Sequence, residues 1–476
     1  MAASWNKNQW KIFTLLYWVA CLFILFNFNG TGKEADSIHH FLYAKYAALH
    51  PELYLNHWAK PVFTLLASPF AQFGFIGVKL FNLLCAFGAS YFSFKIVSKL
   101  GLKQAILTPL FYFIFPISFL TSFSGLTEPL CALVLTSSIY LFQNKNYLIT
   151  ALLISFTPFI RSEGLLFLGV FALFFIHLKN WKALLLLTAG HVIYSVVGFY
   201  HDQDILWVFT KIPYAHLSSH YGSGGLFHFT EKLNYLLGLP LLIFFILGSL
   251  RIITTFKKAQ ITVQLLFATF LCFFIAHSLF WYLEVFNSMG LKRVFAAVTP
   301  LMAIITLLGF DLIQKLNYTA VRKGITVACI MVIVIFPFTS NPAAVDWEDL
   351  NLTKAQENAT AVATFVKQQK LVPQRFIYTD PFLSEALNVD PFNSEIHQIL
   401  AQKHGTISPK LKNGDLIIWD SWHSVIDYGV TPEFLSSLEM YKEFKNGNSI
   451  YRLYLYKSEQ TKIKSNPIKE TALLIR

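Results

Sequence analysis

Two carboxylates, Glu34 and Asp36, stand two residues apart in a polar stretch that follows the first apolar run, with His39 and His40 just beyond them and His57, Lys60 and Pro61 further along. A carboxylate that takes a proton from a hydroxyl as its oxygen attacks an anomeric carbon is what inverting glycosyl transfer requires. Asp36 suits that role, and Glu34 can bind a metal, a sugar hydroxyl or a neighbouring lysine. On a helix the two would face different directions, whereas an extended stretch turns both the same way. The plain alternative is that both hydrate a loop or cap a helix beginning near Ser37. His39, His40 and His57 can bind phosphate, hydrogen-bond a sugar, ligate a divalent metal with Asp36, or serve simply as interfacial polar groups. Their spacing establishes neither a metal nor any other cofactor.

Further charges lie where apolar runs begin. Lys60 before Pro61 suits a first helical turn at headgroup level, where an ammonium meets a lipid phosphate or the acids nearby. Glu128, in Thr127-Glu-Pro-Leu130, opens another run and either faces a polar cavity or complements the helix dipole. Arg161 and Glu163 interrupt a stretch otherwise apolar from Tyr147 to Ile176, so they either pair or face a wet cavity. A guanidinium there can hold a phosphate leaving group through its fork of donors. Lys292 and Arg293 open a late run, and two adjacent cations suit a phosphate whose charge rises as a glycosyl bond breaks, or else anchor to surface phosphates.

The elements that must position these groups are membrane spans. The chain has 476 residues, 55% hydrophobic and 13% charged, against about 25% charged in a typical soluble domain. Runs long enough for a bilayer, which takes roughly 20 apolar residues, fall at 12–29, 75–98, 104–120, 126–142, 147–160, 163–177, 183–200, 233–250, 262–284, 293–310 and 324–340. The expected fold is a polytopic α-helical membrane protein of about eleven spans, in which 147–160 and 163–177 are short. The first run, with no small-residue cleavage site after it, reads as a retained signal anchor. Lys99, Lys103, Lys145, Lys179, Lys182, Arg251, Lys257, Lys258, Lys315, Arg322 and Lys323 fall on one set of alternate loops, which the positive-inside rule makes cytoplasmic. Loop 30–74 then lies outside, with 201–232 and 285–292. The formal charge of +12 therefore expresses topology and contact with anionic membrane lipids, and the dispersed cations form no nucleic-acid patch. All five cysteines lie in predicted spans, so the fold relies on no disulfide, and no Cys pair has a metal spacing. From about Val345 the composition changes. Residues 1–344 are read as the membrane domain and 345–476 as a small extracytoplasmic α/β domain, with strands at 375–380, 414–420 and 449–456 and helices at 355–370 and 432–444.

Taken in order, Glu34 and Asp36, Lys60-Pro61, Thr127 to Leu130, Arg161 to Gly164 and Arg293 resemble motifs of the C-type integral membrane glycosyltransferase superfamily, in particular its protein mannosyltransferase and aminoarabinose-transferase-like branch. The resemblance spans about residues 10–340. It implies an enzyme that moves a sugar from a polyprenyl-phosphate donor, undecaprenyl or dolichyl, to a lipid, glycan or protein acceptor on the extracytoplasmic or lumenal side, with inversion. The membrane would be the cytoplasmic one of a bacterium or the endoplasmic reticulum of a eukaryote. Asp36 matches the essential acid of the first external loop, with Glu34 beside it. Lys60, Arg161, Lys292 and Arg293 would then hold the donor phosphate, and His39, His40, His57, Glu128 and Glu163 would contact sugar or acceptor. Ala35 between the acids and Val62 in place of a second proline depart from the pattern and leave the sugar and any metal open. A transporter or flippase of a lipid-linked saccharide, or a non-catalytic assembly protein, would use the same charges without transfer.

Overall fold

The computed structural model describes residues 2–32, 35–213, 222–403 and 405–457, and of residues 2–7 the backbone alone. Among these, seven helices are long and apolar enough to cross a bilayer: Asn8–Asn27, Phe75–Lys99, Trp181–Asp202, Leu239–Lys258, Ile261–Tyr282, Lys292–Lys315 and Thr319–Phe338. At 1.5 Å per residue, about 20 residues reach the roughly 30 Å of a hydrocarbon core. The protein is an integral membrane protein.

The other four expected spans are short or broken helices, each for a local reason. Residues 104–120 become Leu107–Ile114 and Pro116–Ser122, because Pro116 supplies no amide donor and Phe115 before it is extended, with ψ 123°. Helix Glu128–Gln143 has Pro129 in its first turn. The apolar stretch from Tyr147 is a helical hairpin: Tyr147–Ile154, a 3-10 turn Thr157–Phe159, then Gly164–His177. A Cβ on Gly164 would lie 2.3 Å from the Thr157 carbonyl carbon, so the reversal closes only around glycine. Arg161, Ser162 and Glu163 sit in that reversal.

The Lys292–Lys315 segment is central, with 83% of its apolar window buried, whereas Thr319–Phe338 is peripheral at 11%. Small residues let the central helix meet Leu239–Thr255. A Cβ on Gly248 would fall 1.9 Å from the Ile305 carbonyl oxygen, and one on Gly309 would fall 1.9 Å from that of Phe244. Dispersion contacts at such close approach hold helices together where lipid removes the hydrophobic drive between them. Loop 30–74 supplies two short helices, Ala35–Tyr46 and Pro61–Ala71. The five cysteines are free thiols.

The chain divides into two compact units, Met1–Asn351 and Leu352–Arg476. The composition changes near Val345, but Val345 and Leu350 pack with Tyr17, Cys21, Ile24 and Leu25, so this segment belongs to the first unit. In the second unit, helix Lys354–Gln368 begins with a capping box between Thr353 and Gln356. Its strands are β1 (Phe376–Tyr378), β2 (His397–Ile399), β3 (Ala401–Lys403), β4 (Thr406–Ser408), β5 (Leu416–Asp420), β6 (Met440–Asn446) and β7 (Ser449–Leu455). The main sheet has the order β2-β1-β5-β7-β6, with β1 parallel to β2 and β5 and the remaining pairs antiparallel. The helix expected at 432–444 is instead a 3-10 turn, Pro432–Leu435, followed by β6. Asn446 pairs with Ser449 around Gly447 at φ 59°, a hairpin turn that ties 440–446 to β7 and overrides its helical propensity.

Candidate active site

Asp36 lies in the first turn of helix Ala35–Tyr46. Its neighbour Ser37 fixes that turn: the hydroxyl donates to the Thr31 carbonyl at 2.5 Å and accepts from the Gly125 amide at 2.6 Å. A Cβ on Gly125 would sit 2.4 Å from the Ser37 carbonyl oxygen, so no other residue allows the approach. Buried Asn82 of Phe75–Lys99 donates to the Ser124 and Leu126 carbonyls at 2.6 and 2.9 Å. The segment before Asp36 and the segment before Glu128 are thus locked together by buried hydrogen bonds.

Arg293 donates through Nη2 to Asp36 Oδ2 and forms an ion pair with it. It belongs to the 3-10 turn Lys292–Val298 that leads into the central helix Thr299–Phe310. Phe295, fully buried, wedges that turn against Phe229, Phe273 and Phe274. Burial acts to raise the Asp36 carboxyl, but the Arg293 charge, followed by His40 and His39, outweighs it and holds the group below its ordinary value.

Arg161 is held between two acids. Its Nη1 is 2.7 Å from Glu128 Oε1 and donates to Thr127 Oγ1 at 3.1 Å, while Nη2 donates to Glu163 Oε1 at 2.9 Å. Glu128 is 1% exposed, and such a pair repays its desolvation only when the geometry is this close. Glu128 Oε2 and Arg161 Nε are buried with no hydrogen-bond partner. His277, from span Ile261–Tyr282, brings Nε2 to 3.6 Å from Glu163 Oε1, and its Nδ1 donates to the Phe273 carbonyl at 3.0 Å.

Lys60 caps helix Pro61–Ala71 with φ 69°, a conformation rare outside glycine. Its Nζ donates to Ser162 Oγ at 2.8 Å and to the His57 carbonyl at 3.1 Å, which ties loop 30–74 to the hairpin reversal. Burial pushes its ammonium down to about 8. The His57 ring turns away, with Nε2 3.1 Å from the Val208 carbonyl, and burial lowers its pKa. His40 stacks on Trp58 at 4.9 Å, and His39 meets the same ring edge-on at 5.5 Å. Burial pushes His40 down to about 3, and the charges of Asp36, Lys60, Arg293 and Arg161 all act on it. These four charged residues therefore lie around His40.

The structure thus gathers Asp36, Lys60, Glu128, Arg161, Glu163 and Arg293, with His40 among them. Lys292 lies aside, its ammonium 4.7 Å from the Tyr235 ring centre. Glu34 falls outside the described residues. Among the described residues no group of three or more His, Cys, Asp or Glu could hold a metal ion. Sequence reasoning missed Ser37, Asn82, Thr127, Ser162 and His277. Thr127 and Ser162 stand inside the motifs at 127–130 and 161–164 without a role assigned to them, and His277 carried a signal as an imidazole within an otherwise apolar span.

No protein-family model matches the sequence, and no curated protein matches it. Solved structures match in fold. The likeness is one of fold and takes in 93% of the chain. The chain is similar to ArnT from Cupriavidus metallidurans bound to undecaprenyl phosphate, with TM-score 0.60 and 10% identity over 93% of this chain and 98% of that one. Against ArnT in the apo state the TM-score is 0.59 and the identity 11%, with the same shares covered.

Proposed function

We propose that the protein transfers a sugar from a polyprenyl-phosphate donor to an acceptor hydroxyl, by inversion, on the side of the membrane away from the cytoplasm. The observation that carries this reading is the placing of a partly exposed carboxylate, Asp36, in an ion pair with Arg293 and of a second cation, Lys60, beside the same His40 in a membrane-embedded fold. The neighbour's bound undecaprenyl phosphate supports a lipid-phosphate carrier, and the distribution of lysine and arginine among the loops supports the side.

In this mechanism Asp36 accepts the proton of the acceptor hydroxyl as its oxygen bonds to the anomeric carbon. The bond from that carbon to the phosphate oxygen breaks, and the departing lipid phosphate keeps the electron pair. Arg293 and Lys60 stabilise the charge that develops there. Arg161, already balanced by Glu128 and Glu163, organises the pocket wall. The acceptor is a lipid, glycan or protein bearing a hydroxyl.

Purified protein incubated with labelled polyprenyl-phosphate sugars and a membrane extract should move label to an acceptor, and Asp36→Asn should abolish this while the melting temperature in detergent is kept. Full activity of Asp36→Asn, or movement of intact lipid-linked sugar across vesicles without transfer, would overturn the assignment.

A further inference from the structure

Arg293 has two anions to serve. The carboxylate of Asp36 occupies one of its guanidinium nitrogens, and a donor phosphate would call on the same fork. We propose that Asp36 and the donor's phosphate compete for Arg293, so that donor binding itself releases the catalytic carboxylate. This rests on the function proposed above and adds an order to it: donor first, then acceptor.

The burial of the two partners says which one moves. The Arg293 side chain is 13% exposed and that of Asp36 is 41% exposed. The guanidinium rises from a turn clamped by Phe295 among Phe229, Phe273 and Phe274, while the carboxylate stands in the first turn of its helix. Exchange therefore needs only a rotation of the Asp36 side chain.

Among the described residues no other cation of this group relieves the competition. Arg161 has two carboxylates of its own, and Lys292 lies over Tyr235. Lys60 is bound only by a serine hydroxyl and a backbone carbonyl, both neutral, so it can add phosphate without giving up an ion pair. Among the described residues Arg293 is thus the cation at which an arriving phosphate meets an acid already bound to a nitrogen of the fork.

The exchange has a chemical purpose. While Arg293 holds Asp36, the carboxylate is a poor proton acceptor, because the neighbouring positive charge favours its ionised form. Once Arg293 turns to phosphate, that stabilisation goes and the carboxylate becomes the stronger base. The acceptor's proton then passes to Asp36, the acceptor oxygen bonds to the anomeric carbon, and the phosphate leaves with the electron pair into the grip of Arg293 and Lys60. Base strength thus rises only once a donor is in place for the acceptor to attack.

The test is binding of undecaprenyl phosphate, measured calorimetrically on the full chain in detergent at fixed salt. Four proteins are compared: wild type, Asp36→Asn, Arg293→Gln and the double variant. Asp36→Asn should bind about fivefold tighter than wild type, the worth of one exposed ion pair that no longer has to be broken. In the Arg293→Gln background the same substitution should give no gain. Asp36→Ala makes the same comparison if the amide variant is unstable. Equal or weaker binding by the Asp36 variants overturns the exchange. So does a gain that persists without Arg293, since that would reflect simple repulsion between carboxylate and phosphate. If wild type binds undecaprenyl phosphate but no sugar transfer is found, the function is at fault and the exchange stands. If wild type does not bind the lipid phosphate at all, both fall.

Discussion

At Lys60 the backbone and the side chain point to the same role. A non-glycine residue at φ 69° carries a cost of about 1–3 kcal/mol, sustained here by the two hydrogen bonds of its ammonium. With the ammonium pushed down to about 8, Lys60 loses its charge as pH rises through that value, and phosphate binding weakens with it. The Michaelis constant for donor should therefore climb above about pH 8, and Lys60→Arg, which stays charged, should flatten the climb. A Michaelis constant flat to pH 10 would remove Lys60 from the phosphate site. Arg161 makes a different prediction. Its removal strands the buried carboxylate of Glu128 and the part-buried one of Glu163, so Arg161→Ala should destabilise the membrane unit by about 3–5 kcal/mol, read as a lowered melting temperature in detergent, and an unchanged melt would contradict the network. The ionisable members of the pocket were legible in the sequence because each is costly beside an apolar run and calls for an explanation. Ser37 and Asn82 were not, since a serine or an asparagine is ordinary anywhere. Their meaning lies in partners 88 residues from Ser37 and 42 or 44 from Asn82.

Among the elements, the short ones carry the pocket. The hairpin from Tyr147 to His177 and the two helices of loop 30–74 bring Arg161, Glu163, Asp36 and Lys60 to one place, which a straight span would not do. The apolar runs were readable from composition, since each of the seven long helices falls within or close to one. The break at Phe115 and the fit around Gly164 were harder to read, because they depend on what packs against them. In the second unit the helix expected at 432–444 gives way to a 3-10 turn and β6, although the hairpin signal of Gly447 and Asn448 is there in the sequence. Gly125 joins two elements and gives the test at this scale. Gly125→Ala forces a Cβ against the Ser37 carbonyl and should shift Asp36, lowering kcat about 10- to 100-fold with donor affinity little changed. An unaltered kcat would mean that the lock between the two segments does not set the position of the base.

At the scale of the whole chain, each unit has its own interior. Ile377, Leu400, Ile417, Trp419, Val430, Leu435 and Tyr454 form a core contained in the second unit. A fragment of residues 352–457 should accordingly fold alone and melt cooperatively by far-ultraviolet circular dichroism, whereas a broad, sloping melt would show that it needs the membrane unit. Among the described residues of the first unit, the charges gathered here balance before transfer: Asp36, Glu128 and Glu163 are carboxylates, and Arg161, Arg293 and Lys60 are cations. A permanently cationic cluster would hold a lipid phosphate monoester, which carries more negative charge than the diester it came from, tighter than the substrate. Here the surplus positive charge lasts only while Asp36 keeps the acceptor's proton, so loss of that proton to water restores neutrality and frees the spent carrier to depart.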